Sequence, residues 1–222
     1  MGDLERYNAV ITTGDAPENP AERSYLAKTM YLKAIDIYRS NGKPYSQLAL
    51  ISINGGSAID VVWYYCMSLA MKEPAAIAFD NLKSFYSKVR FSSTVAESTN
   101  SPKSADLRAA ARKQVARAVE KFLTFQREVM YSNGSSAEFP SLGSGAASGG
   151  SESWQVAMEQ ATRTIFQTIK EDPDQASSLL KLLRSTLMRV TIILITTIWY
   201  LGRQQKGNVA SPPILIFCFL KS

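Results

Sequence analysis

Residues 25–89 read YLAKTMYLKAIDIYRSNGKPYSQLALISINGGSAIDVVWYYCMSLAMKEPAAIAFDNLKSFYSKV, and the spacing of apolar residues in this stretch decides the fold. Ala27, Tyr31, Ala34 and Tyr38 recur at helical intervals, as do Ala78, Leu82, Phe85 and Val89. Alanines beside large aromatics let two helices approach closely while the rings fill the gaps. Helix-ending signals fall between the apolar runs: Asn41-Gly42-Lys43-Pro44, then Asn54-Gly55-Gly56, then Lys72-Glu73-Pro74. Short helices over about Ala21–Arg39, Tyr45–Ile53, Ser57–Lys72 and Ala75–Val89 follow from these breaks. Four such helices in antiparallel succession predict an all-α fold, a tetratricopeptide-like helical stack or α-solenoid. Periodicity alone is equally compatible with an ordinary helical core.

The wording of the stretch is more specific than its periodicity. Gly42-Lys43-Pro44-Tyr45-Ser46-Gln47-Leu48-Ala49 is followed by Trp63-Tyr64-Tyr65-Cys66-Met67-Ser68-Leu69-Ala70, and then by Pro74, Ala78, Asn81 and Leu82. Gly2-Asp3-Leu4-Glu5-Arg6-Tyr7 stands at the start of the chain. In order and spacing these pieces resemble the DNA/RNA-binding domain of the Ever Shorter Telomeres proteins, a family that includes the SMG factors of nonsense-mediated mRNA decay. The resemblance covers residues 2–90. It departs from the family pattern at Ser46 (usually Asn), Met67 (usually Arg) and Ala75 (usually Phe), and the missing arginine removes a donor that could contact phosphate or pin neighbouring helices. In the family a 14-3-3-like phosphopeptide-binding domain precedes the first of these motifs. Because this chain begins at that motif, the resemblance implies a truncated form without the phosphopeptide site. Gly42, Pro44, Gln47, Leu48, Ala49, Tyr64, Tyr65, Ser68, Leu69, Asn81 and Leu82 are the positions that carry the family motif, in structural or binding roles.

Composition narrows the chemistry. The 222 residues contain no histidine, so Ser-His-Asp triads, Cys-His dyads and histidine metal sites are excluded. Two cysteines, Cys66 and Cys218, make neither a four-cysteine zinc site nor a disulfide framework, which fits a reducing compartment. No phosphate loop or dinucleotide fingerprint occurs. No cofactor, metal or enzymatic activity is expected, and no secretory signal is visible. Net charge is +6, with a pI near 9.3. An acidic partner is compatible with that balance but not required by it.

Along the chain, Met1–Thr13 predicts a short amphipathic helix and Asp15–Pro20 a polar loop. Ser57 suits an N-cap. Gln47 could bond orphan backbone groups at a helix end or hold a neighbouring helix in register. Trp63-Tyr64-Tyr65 could form a stacking platform for unpaired bases, although three consecutive rings on a helix point three ways and burial preferences favour packing. A longer helix is predicted over Ser104–Tyr131, with Leu107, Ala110 or Ala111, Val115, Ala118 or Val119, Phe122 and Phe125 on one face. Its other face carries Arg108, Arg112, Lys113, Arg117 and Lys121, and no acid falls between Leu107 and Val119. With Lys83, Lys88 and Arg90, this helix is the candidate electrostatic footprint for phosphates. The competing reading is a solvated face kept soluble by its charge.

The predicted organisation is a helical DNA/RNA-binding domain over 1–131, a disordered Gly/Ser/Ala-rich loop over 132–152, further helices packing on the stack over 153–202, and an irregular apolar tail over 203–222. Helical patterns are predicted from Trp154 to Ile169 and again after Pro173. Val190–Gly202 is uncharged, but Arg189 and Arg203 bracket it too closely for a bilayer span, so a buried helix is expected and a membrane is not. By resemblance, the chain is a noncatalytic scaffold in the nucleus or cytoplasm. It would bind RNA or single-stranded DNA and partner telomerase or mRNA-decay proteins. The alternative is a protein-interaction scaffold of the tetratricopeptide type that does not touch nucleic acid.

Overall fold

The computed structural model describes residues 2–3, 20–55, 57–89, 104–131 and 153–206. Among these residues the only regular elements are helices: α1 (Pro20–Ile37), α2 (Lys43–Ile53), α3 (Ala58–Ala70), α4 (Ala78–Lys88), α5 (Ser104–Tyr131), α6 (Trp154–Glu171), a 3-10 turn (Pro173–Gln175) and α7 (Ala176–Lys206). The chain divides into two compact units, one of residues 1–88 with 191–222, the other of residues 89–190. The expected Gly/Ser/Ala-rich loop at 132–152, Arg90, nearly all of the first predicted helix and the end of the tail lie outside the described residues.

In the first unit each of α1 to α4 packs on the next, giving the expected tetratricopeptide-like stack. The interior follows the predicted stripes. Ala27, Tyr31 and Leu48 form one cluster, joined by half-buried Ile35, Ile51 and Tyr64. Tyr45, Met67, Ala70, Met71 and Ile192 form another, with Trp63 and Ile195 packed against it. Leu48 and Leu82 are 1 % and 0 % exposed, and burying each stabilises the fold by about 2–3 kcal/mol. Met67, which departs from the arginine usual at that motif position, is fully buried. An apolar side chain there needs no charge partner. Residues 2 and 3 are helical, and the Tyr31 hydroxyl donates to the Asp3 carboxylate at 2.6 Å.

Sequence signals locate helix starts without always capping them. Pro44 occupies the first turn of α2, where a missing N–H costs nothing. Ser57 precedes α3 with extended backbone (φ −80°, ψ 150°), yet its side chain makes no capping hydrogen bond. Ser153 caps α6, accepting from the Val156 N–H at 3.4 Å.

In the second unit α5 and α6 form a tightly packed pair. Trp154 closes one end, edge-on to Phe122 at 5.3 Å and tilted against Phe125 at 5.9 Å. After the 3-10 turn at Pro173, the two apolar segments read separately from sequence join as one helix of 31 residues. Neither proline nor glycine occurs between Gln175 and Leu201, so nothing interrupts it. Its first half contributes Leu179, Leu183, Thr186 and Val190 to the second unit's interior. Its second half contributes Ile192 to the first unit's core and stacks Tyr200 on Phe79 at 5.1 Å. Among the described residues, no helix is long and apolar enough to cross a membrane.

Candidate nucleic-acid interface

The basic helix α5 is built as a two-faced rod. Ala111, Val115, Ala118, Phe122, Gln126 and Met130 recur at three- and four-residue intervals and are buried. This stripe seats α5 on α6 and turns the remaining residues outward. Arg108, Arg112 and Lys113 are exposed, whereas Arg117 and Lys121 are half-buried. Arg108 donates to the Gln175 side-chain oxygen at 3.1 Å, which ties its guanidinium to the 3-10 turn. Lys113, Arg117 and Lys121 stand four residues apart and so share one ridge. Arg108 and Arg112 form a second. Between Arg108 and Lys121 this stretch of α5 rises about 20 Å at 1.5 Å per residue, and its two ends stand roughly 140° apart about the axis, so the two ridges lie on different sides of the helix. Half-buried Glu120 interrupts the far end of the stretch, and burial raises its carboxyl above the ordinary value. The near end, through Val119, is free of acids.

The other candidate cations are arranged differently. Lys83 and Lys88 are both exposed on α4, five residues apart, hence separated by roughly 140° about the helix axis. They do not share a face.

The motif residues of the first unit are brought together as a clasp rather than as an open surface. Gly42 sits in right-handed backbone (φ −78°, ψ −18°), so its lack of a side chain is not required by its dihedrals. It is required by space. A Cβ added there would lie 2.4 Å from the Ser68 carbonyl oxygen and 2.9 Å from the Ala75 nitrogen. The Gly42 N–H donates to the Glu73 carbonyl at 2.8 Å, and the Glu73 N–H to the Ser40 carbonyl at 3.0 Å. The buried Ser68 hydroxyl donates to the Gly42 carbonyl at 2.8 Å. These bonds stitch the α1–α2 turn to the α3–α4 turn. The Tyr38 hydroxyl closes the clasp from outside by donating to the Glu73 carboxylate, a bond that raises its pKa above the ordinary phenol value. The Tyr38–Glu73 pairing was not legible from sequence, because two residues 35 apart carry no local signal of contact.

The remaining motif positions are mostly interior. Pro44, Leu48, Ala49, Tyr65, Leu69 and Leu82 are buried, while Gln47, Tyr64 and Asn81 are half-buried. Tyr65 is 0 % exposed, and desolvation pushes its hydroxyl up to about 12. Trp63 and Tyr64 pack against the core clusters with ring centroids 4.8 Å apart. The Ser46 Oγ and Gln47 Oε1 are buried without a hydrogen-bond partner among the described residues. The aromatic run thus supplies packing in this fold.

Among the described residues the class is all-α, with a tetratricopeptide-like helical stack in the first unit and a helix carrying exposed cations in the second. The family model described as "Est1 DNA/RNA binding domain" matches residues 27–212, and the chain belongs to that family. It is 32% identical over 88 residues to the nonsense-mediated mRNA decay factor SMG7 of Danio rerio, covering 40% of this chain and 6% of that protein. It is 39% identical over 92 residues to the telomerase-binding protein EST1A of Danio rerio, covering 40% and 5%. With the nonsense-mediated mRNA decay factor SMG7 of Arabidopsis thaliana it shares 32% identity over 91 residues, covering 40% and 8%. The chain therefore spans less than a tenth of the length of these relatives. No solved structure matches it at a significant level.

Proposed function

We propose that this chain is a noncatalytic helical scaffold that binds RNA or single-stranded DNA through the outer face of α5, and that it serves telomerase regulation or nonsense-mediated mRNA decay. The observation that carries this reading is the acid-free run from Leu107 to Val119, which exposes Arg108, Arg112 and Lys113 on a helix whose opposite face is locked into the α5–α6 pair. Cations held on a rigid rod release condensed counterions on meeting a phosphate backbone, which is the main source of affinity for nucleic acid. Membership of a family described by DNA/RNA binding, and likeness to a telomerase-binding protein and to mRNA-decay factors, support the two processes named. Telomerase or mRNA-decay proteins are the corresponding partners, in the nucleus or the cytoplasm. A filter-binding titration with single strands at low salt tests it. Retention that falls steeply as salt rises is expected, and no retention even at low salt refutes it.

One observation favours a second reading, a protein-interaction scaffold. Helix α1 exposes Tyr25 at 73% and Ile37 at 85%, with Leu26 and Leu32 also exposed, individual apolar side chains that a protein partner could cover. Capture of partners from a lysate treated with nuclease separates the two, because protein-bridged partners survive that treatment and RNA-bridged ones do not.

A further inference from the structure

We infer that an outward seam of α7 is the docking site for an acidic amphipathic helix of another protein, paired with it as a two-stranded coiled coil. This goes beyond the nucleic-acid reading above and does not depend on it. Leucine recurs at every seventh position of α7, as Leu180, Leu187, Leu194 and Leu201. Arg184, Thr191 and Ile198 fall between them, so steps of four and three residues alternate along about 32 Å of helix. That is the interval of a coiled-coil seam. Leucine holds each d position and a β-branched residue two of the three a positions, the combination that favours two strands.

The interior of the fold leaves this seam unused. Leu179, Leu183, Thr186, Val190, Ile193 and Thr197 are buried and carry the inward face at the same alternating spacing. One residue further on, the helix has turned by about 100°. There Leu180, Leu187 and Ile198 are exposed at 43%, 40% and 56%. Arg184 and Thr191 are exposed with them, and Leu194 and Leu201 are half-buried. Scattered apolar residues on a surface need no partner. These five exposed residues are aligned, within about 60° of one another around the axis. On a straight helix the leucine repeat drifts by about 20° per heptad, a drift that a partner wound left-handed around α7 follows.

Charge decides the occupant. No acidic residue occurs from Gln175 to the end of the chain, whereas Lys181 and Arg184 are exposed beside Leu180. A second copy of α7 would offer these cations no carboxylate in either direction, and in parallel would set Arg184 against its own counterpart. A helix with isoleucine and leucine on its seam and glutamate opposite Lys181 and Arg184 meets both requirements. The aliphatic stem of Arg184 then packs between Leu180 and Leu187 while its guanidinium reaches the carboxylate.

Fluorescence anisotropy with the full chain tests this, using a labelled synthetic peptide of about four heptads with isoleucine at a, leucine at d and glutamate at e, g and one a position. Glutamate on both flanks keeps the peptide from pairing with itself. Saturable binding is expected, at least about tenfold tighter than that of a lysine counterpart or of a scrambled peptide of the same composition. Leu180→Gln with Leu187→Gln should weaken it by at least about tenfold. Circular dichroism of that variant should match the parent, since both residues are exposed. Lys181→Glu with Arg184→Glu should reverse the preference in favour of the lysine peptide. No saturable binding of the acidic peptide, equal binding of the scrambled one, or a charge-reversed variant that still prefers the acidic peptide overturns the inference. So does sedimentation equilibrium showing a dimer of the chain that the leucine variant loses, because the seam then belongs to a second copy.

Discussion

Gly42→Ala is the sharpest test of the clasp that organises the first unit. In right-handed backbone, replacing glycine by alanine ordinarily stabilises a protein by about 0.4–1 kcal/mol, because the unfolded chain loses freedom. Position 42 should show the opposite sign. The new methyl would sit 2.4 Å from one backbone oxygen, 2.9 Å from a backbone nitrogen and 3.1 Å from a second backbone oxygen, none of which can swing aside like a side chain. Overpacking of this kind costs about 1–3 kcal/mol. Separating the turns also weakens the bonds Gly42–Glu73, Glu73–Ser40 and Ser68–Gly42, each worth about 1 kcal/mol net. After the glycine-to-alanine gain is subtracted, a net loss of about 2–4 kcal/mol is expected. In urea, with a slope of about 2 kcal/mol per molar, the midpoint followed by circular dichroism should fall by about 1–2 M. Gly55→Ala is the control, because a Cβ there meets nothing within 4 Å, and its midpoint should move by less than about 0.3 M. A Gly42→Ala protein as stable as the parent, or equal losses at both glycines, would show that the close approach of the two turns does not hold this unit together.

Glu120→Gln should raise stability at neutral pH and tighten binding to single strands. Burial raises the Glu120 carboxyl above its ordinary value, so its favourable contribution exists below the unfolded carboxyl pKa and is lost as pH rises through the folded one. A destabilised variant would mean that an ion pair with the neighbouring cations outweighs desolvation. For the buried Cys66 thiol and Tyr65 hydroxyl, burial pushes both up to about 12. The stability they contribute is intact below the unfolded values near 9 and 10 and declines as pH rises beyond them. Urea midpoints that fall between about pH 9 and 11 are expected, with Cys66 unlabelled by iodoacetamide in native protein when its peptide is examined by mass spectrometry. Flat stability across that range, or rapid native labelling of Cys66, would contradict its burial.

The sequence by itself determined the all-helical class, the family and nearly every helix, because these depend on local periodicity and on Gly, Pro and Asn at the breaks. Ser104–Tyr131 was legible to its ends, and its buried face matched at Val115 and Phe122. Only the tertiary structure decided what the motif residues do. Gly42, Ser68 and Glu73 acquire their roles where two turns meet, and contacts between residues 26 to 35 apart leave no mark on local pattern. The same limit applied to charge. Periodicity placed five cations off the apolar stripe of one helix but did not say which of them face water. Arg112 and Lys113 are exposed while Arg117 and Lys121 are half-covered, a difference that spacing along one helix does not contain because burial depends on what comes to lie over each side chain.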